Sequence, residues 1–182
     1  MQREKLFSKI KQNESALKKY LLITLFLLIP VLFFTDYIIS LLLIASTFLT
    51  ALFVKHSGLK SLGIELMTLA TVLHATQYGP AAGAATGFFL VLAHFIVGGF
   101  TGPFITWVLP GYAVMGATAA MVSMPILQLG MAAVLSLNAF FFAMTYIVSP
   151  GRIGVFAPYM ATNILFNYVL FKYLAPVLLN IM

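Results

Sequence analysis

Long apolar runs, broken by brief polar punctuation, make up most of this chain. A membrane-spanning helix needs about 20 apolar residues. On that measure the pattern predicts spans near 20–35, 37–54, 63–78, 80–98, 104–123, 126–148 and 155–180. The first two are short and separated only by Thr35 and Asp36. The stretch 105–148 holds no Asp, Glu, Lys or Arg and is too long for one span. Pro125 supplies the break, because its ring removes a backbone donor and crowds the preceding turn. Seven crossings fit best, and six follow if the first segment is interfacial or packs as a half-helix. The expected fold is an all-α, polytopic transmembrane helix bundle of six to seven spans. It forms one domain over residues 20–182, preceded by a basic amphipathic segment over residues 1–19.

Composition agrees with the pattern. Hydrophobic residues make up 62% of the chain and charged residues 8%, with a mean hydropathy of +1.06. A soluble domain normally carries about a quarter charged residues to cover its surface. This chain lacks them, so it reads as an integral membrane protein. Cysteine is absent, which removes disulfides, thiolate catalysis and thiolate-bound metals.

The charge is uneven. Arg3, Lys5, Lys9, Lys11, Lys18 and Lys19 crowd the start, against Glu4 and Glu14. Because this basic tail abuts a span, it points to membrane lipids and not to nucleic acid. Leu6, Phe7, Ile10 and Leu17 fall within an arc of about 100° on a helical wheel, which suits a short helix lying on the cytoplasmic lipid surface. The alternative is a basic leader that only sets topology. No small-x-small cleavage site follows "PVLFFTDY", so a signal peptide is not expected. Basic loops stay inside, so the chain is placed in the cell membrane with a cytoplasmic N-terminus and Asp36 outside. Lys55, Lys60 and, with seven spans, Arg152 then lie inside. Lys172 falls near the outer end of the last helix, where it can snorkel.

The run "GPAAGAATG" spaces Gly79, Gly83 and Gly87 by four. Apolar side chains gain little by hiding from one another in lipid, so spanning helices associate by close packing of small residues. These glycines are therefore expected to form a packing groove, fed by a tight turn at Gly79–Pro80. The groove could receive a neighbouring helix of the same chain or a partner's helix.

Polar residues at membrane depth are costly and mark functional candidates. In "GIELMTLATVLHATQYG", Thr68, Thr71, His74 and Tyr78 share an arc of about 120°, with Glu65 about 60° beyond Thr68. Tyr159, Asn163 and Asn167 step by four along one face of the last helix. Each has a plainer reading. Threonine hydroxyls bond back to their own helix, and asparagines tie helices together. Glu65 suits a helix N-terminus, His94 a structural role, and Trp107 the interfacial belt. Taken together, the two stripes are the candidate lining of a pocket. No HExxH, GxSxG or Walker pattern appears, so no catalytic activity and no cofactor are expected. A metal carrier using Glu65, His74 and His94 is the weakest reading, since their spacing matches no standard site.

The run "IELMTLATVLHATQYGPAAGAATGFFLVLAHFIVGG", with its "GP..G...G" pattern at Gly79, Pro80, Gly83 and Gly87, resembles the substrate-binding S components of energy-coupling factor transporters. The tail "ATNILFNYVLFKYLAPVLLNIM" is similar to S-component ends. The resemblance implies a six-helix bundle that captures a vitamin or other micronutrient from outside. It also implies docking onto a transmembrane coupling protein with two ATPases. The third-span stripe and the last-helix asparagines would then be the pocket. An extra hydrophobic segment over 20–35 departs from that pattern, and the charge rule puts "KHSGLKSLG" inside where the family has it outside. The rod-shape protein family MreD looks similar for the same small-residue reasons, and would imply a scaffold binding partner helices through its glycine face.

Overall fold

The computed structural model describes residues 19, 35–59, 62–99 and 102–182. The basic leader, apart from Lys19, and residues 20–34 of the span expected near 20–35 lie outside the described residues. The chain divides into two compact units, residues 1–38 and 39–182. The first is described only at Lys19, which is helical, and at the opening residues of the first helix below.

The described elements are helical throughout. They are α1 (Thr35–Ser57), α2 (Met67–Tyr78), α3 (Pro80–Gly98), α4 (Ile105–Ala119) and α5 (Ile126–Val148). A 3₁₀ turn (Pro150–Arg152) leads into α6 (Ile153–Val169), which runs through a π turn (Leu170–Leu174) into α7 (Ala175–Ile181). Among the described residues, four helical stretches are long and apolar enough to cross a membrane: Thr35–Ser57, Pro80–Gly98, Ile126–Val148 and Pro150–Ile181. By length and composition this is a membrane protein.

Helix ends follow local chemistry. Gly79 takes φ +88°, a backbone conformation that suits glycine alone, and its N–H closes α2 on the Ala75 carbonyl at 3.0 Å. Pro80 then opens α3, where its missing donor costs little. Gly99, left-handed at φ +67°, caps the far end of α3. Lys55 donates to the Val97 carbonyl at 3.0 Å, satisfying one of the orphan acceptors of that last turn. Pro125 stands immediately before α5, so the expected break in the uncharged stretch falls where its ring requires.

The glycine groove is internal. A Cβ on Gly83 would strike the Gly116 carbonyl of α4 and the Ala75 side chain of α2. One on Gly87 would lie 2.5 Å from the Tyr112 carbonyl and 3.0 Å from Thr71 Cγ2. Gly116 reciprocates against the Gly83 backbone. So α3 and α4 touch backbone to backbone, over a contact that only hydrogen-sized side chains permit. Gly79 takes no part in it and serves the turn.

The helix α2 is the centre of residues 39–182. Met67 through Ala75 are all buried. At 12 residues it is about 18 Å long, short of the roughly 30 Å hydrocarbon thickness. Residues 62–66, which precede it, are not helical. Buried irregular backbone needs partners for its polar groups. Here α6 satisfies them. Gly63 N–H donates to Thr162 Oγ1 at 2.9 Å, and the Gly63 carbonyl accepts from Asn163 Nδ2 at 3.0 Å.

Candidate functional site

Residues 62–66, 103–104 and 149–152, from the connections that follow α1, α3 and α5, come together at one end of these helices. Between them opens a cavity of about 460 Å³. That falls within the range of small-ligand sites, about 300–1,000 Å³. Phe104, just before α4, and Trp107 and Tyr112 within it line the cavity, with Phe141 and Thr145 from the late part of α5 and Phe156 and Tyr159 from the early part of α6. Glu65, His94 and Arg152 add ionisable groups to the lining. The walls are ordered by ring contacts. Tyr112 stacks on Phe141 at 5.9 Å, Phe156 on Tyr159 at 5.7 Å, and Phe95 meets Phe104 edge-on at 5.4 Å.

Depth can be read along α6. Arg152 is exposed, and Asn163 lies eleven residues further on, a helical rise of about 16 Å. Asn163 and Asn167 both reach Glu65 from α6, so Glu65 forms the floor and Arg152 the mouth.

The floor is a polar cluster. Glu65 is 2% exposed. Its Oε2 accepts the Thr68 backbone N–H at 2.9 Å, capping the first turn of α2. Its Oε1 accepts Thr68 Oγ1–H at 2.8 Å, Asn167 Nδ2–H at 2.9 Å and Asn163 Nδ2–H at 3.2 Å. Thr68 Oγ1 also lies 3.1 Å from the Tyr112 hydroxyl. Asn138 of α5 donates to Asn163 Oδ1 at 2.8 Å and to the Val134 carbonyl. Five elements meet here, and the acceptors Asn138 Oδ1 and Asn167 Oδ1 are buried without a hydrogen-bond partner.

The two sequence stripes are brought together at one end only. Thr68, Asn163 and Asn167 converge on Glu65, and Tyr159 lines the cavity above them. Thr71 and His74 bond back to their own helix, at the Met67 and Ala70 carbonyls, 2.7 Å each. Tyr78 is 38% exposed at the opposite end of α2 and lies 3.2 Å from Ser40 Oγ of α1. His74 therefore does not face Asn163. Among the described residues no three of His, Cys, Asp and Glu lie close enough to hold a metal ion.

Several wall and floor residues escape the stripe pattern. Asn138 carried a signal, being a lone amide in the apolar run "LSLNAFFF". Trp107 and Tyr112 carried little, because aromatic residues at span ends usually mark the interface. The partnership of Glu65 with α6 joins positions about 100 residues apart and left no periodic trace.

No family model, curated protein or solved structure matches this chain.

Proposed function

We propose that this protein is a substrate-binding membrane subunit, without catalysis of its own, that takes a small molecule into the aromatic cavity. The observation that carries the reading is the cavity's construction. It has aromatic walls, a buried polar floor, and a mouth at the end of the helices where Leu62, Pro103 and Ser149 lie. Small-molecule sites combine an apolar lining with a few placed polar groups in this way. The resemblance of the "GP..G...G" segment to S components extends the reading to micronutrient uptake, with a coupling protein and ATPases supplying the energy.

Uptake requires the mouth to open outward. With a cytoplasmic N-terminus, that makes α1 the first full crossing; the strongly basic leader stays inside, while Asp36 moves inside and Lys55, Lys60 and Arg152 move outside, the reverse of the placement that the charge rule gives with seven spans. The scaffold reading relied on the glycine face, and Gly83 and Gly87 are already occupied by α4 and α2.

Native mass spectrometry of the detergent-purified protein tests the proposal. The expected result is a retained small molecule that Tyr159→Ala or Trp107→Ala releases. A protein that carries none, and binds none from a vitamin panel, overturns it.

A further inference from the structure

From the floor and walls of the cavity we infer that the ligand is an organic cation: a flat or compact body carrying a positively charged nitrogen that docks above Glu65. The inference rests on the binding-subunit reading and names its substrate class.

A carboxylate sunk at membrane depth is costly unless it is both hydrogen-bonded and charge-paired. Glu65 has the first. Among the described residues, each hydrogen bond it accepts comes from a neutral group: the Thr68 hydroxyl and backbone N–H, and the amides of Asn163 and Asn167. Among the described residues, these donors fix the carboxyl group in place without bringing a formal positive charge to it. Of the ionisable groups described in residues 39–182, His94 shares the cavity lining, and the long basic side chains there are engaged or lie away from the floor. Lys55 caps α3, Lys172 lies over the rings of Tyr168 and Tyr173, and Arg152 is exposed at the mouth.

The walls point the same way independently. A cation is attracted to the faces of Trp, Tyr and Phe, most strongly where water is excluded. Trp107, Tyr112, Phe156 and Tyr159 surround the space above Glu65. Arg152 opposes a cation only weakly. It is exposed to solvent and about 16 Å up the helix from the floor, where water and salt screen its field. Glu65 is buried at the floor, where its field is screened less.

Trp107 is the sole tryptophan of the chain and lines the cavity, so its fluorescence reports occupancy. Three probes of similar size are titrated into protein held in an uncharged detergent at neutral pH. They are N-methylquinolinium (cation), quinoline (neutral) and 1-naphthoate (anion). Saturable quenching is expected to favour the cation over quinoline by about tenfold or more, with naphthoate weakest. Glu65→Gln should bring cation and neutral probe to similar affinity. Equal or tighter binding of quinoline or naphthoate overturns the charge assignment and leaves the binding-subunit reading intact. So does a cation preference that survives Glu65→Gln. Should that variant fail to fold, the wild-type series decides. Absence of saturable quenching by all three probes overturns the charge assignment and the binding reading together.

Discussion

Replacing Asn163 by alanine should destabilise the protein more than any other single truncation on the polar face of α6. The side chain makes three bonds outside its own helix. It donates to the Gly63 carbonyl at 3.0 Å and to Glu65 Oε1 at 3.2 Å, and it accepts from Asn138 Nδ2 at 2.8 Å. The losses are unequal. Glu65 Oε1 keeps Thr68 and Asn167, and Asn138 keeps the Val134 carbonyl. The Gly63 carbonyl, in a buried stretch that is not helical, loses the side chain that satisfies it. An orphaned buried acceptor costs about 1–3 kcal/mol. Two weakened partners and a small cavity bring the expected total to about 2–5 kcal/mol.

The measurement is SDS-titrated unfolding in mixed micelles, followed by circular dichroism. His74→Ala is the control, since among the described residues its imidazole bonds only within α2, to the Ala70 carbonyl at 2.7 Å, and it should cost about 1 kcal/mol. A double-mutant cycle between Asn163→Ala and Glu65→Gln should show coupling of about 0.5–3 kcal/mol. If Asn163→Ala unfolds at the wild-type midpoint, or the two changes simply add, the cluster does not hold residues 62–66 in place and the floor argument fails.

Other expectations follow from single contacts. Gly83→Leu drives a branched side chain into the Gly116 backbone; overpacking usually costs about 1–3 kcal/mol, and with backbone as the obstacle the variant should not yield folded protein, which size-exclusion chromatography in detergent would reveal. Thr162→Val removes the acceptor of Gly63 N–H and should lower stability by about 1–2 kcal/mol, read in the same SDS titration. The chain has no cysteine, so single cysteines at Ser8 and Arg152 report topology directly: an impermeant maleimide added to intact cells should label Arg152→Cys and spare Ser8→Cys, and the reverse pattern would put the cavity mouth in the cytoplasm.

Much of the fold was legible because it depends on local chemistry. Gly79–Pro80 can hardly be other than a turn, and Pro125 had to end something in an uncharged run that long. The glycine spacing announced close packing, although it could not say that Gly116 of α4 would be the partner. The site was only partly legible. The step of four that aligned Tyr159, Asn163 and Asn167 is real helical geometry, and those residues do share the face turned toward Glu65 and the cavity. The same arithmetic over-extended the stripe on α2. Thr68, Thr71, His74 and Tyr78 do lie along one side, but α2 is buried nearly all round. Facing a direction there means facing another helix, and a threonine or histidine so placed bonds back to its own carbonyls. Periodicity reports which side of a helix a residue occupies, not whether that side meets protein or empty space.

The shortness of α2 links fold to site. Had its helix continued through residues 62–66, the backbone would have satisfied itself and Glu65 would have been one more residue on a buried turn. Because the helix begins only at Met67, the preceding backbone must borrow partners, and Thr162 and Asn163 supply them. Two of the groups on the polar face of α6, Asn163 and Asn167, also grip the Glu65 carboxyl. The floor of the cavity is therefore part of what holds the centre of residues 39–182 together. Substitutions at Glu65, Thr68, Asn163 or Asn167 should change stability and affinity together. Changes at Trp107, Phe156 or Tyr159, which contribute rings to the walls, should separate the two and lower affinity with less loss of stability. A wall variant that unfolds as readily as Asn163→Ala would mean that the rings are core and the cavity is only a packing defect.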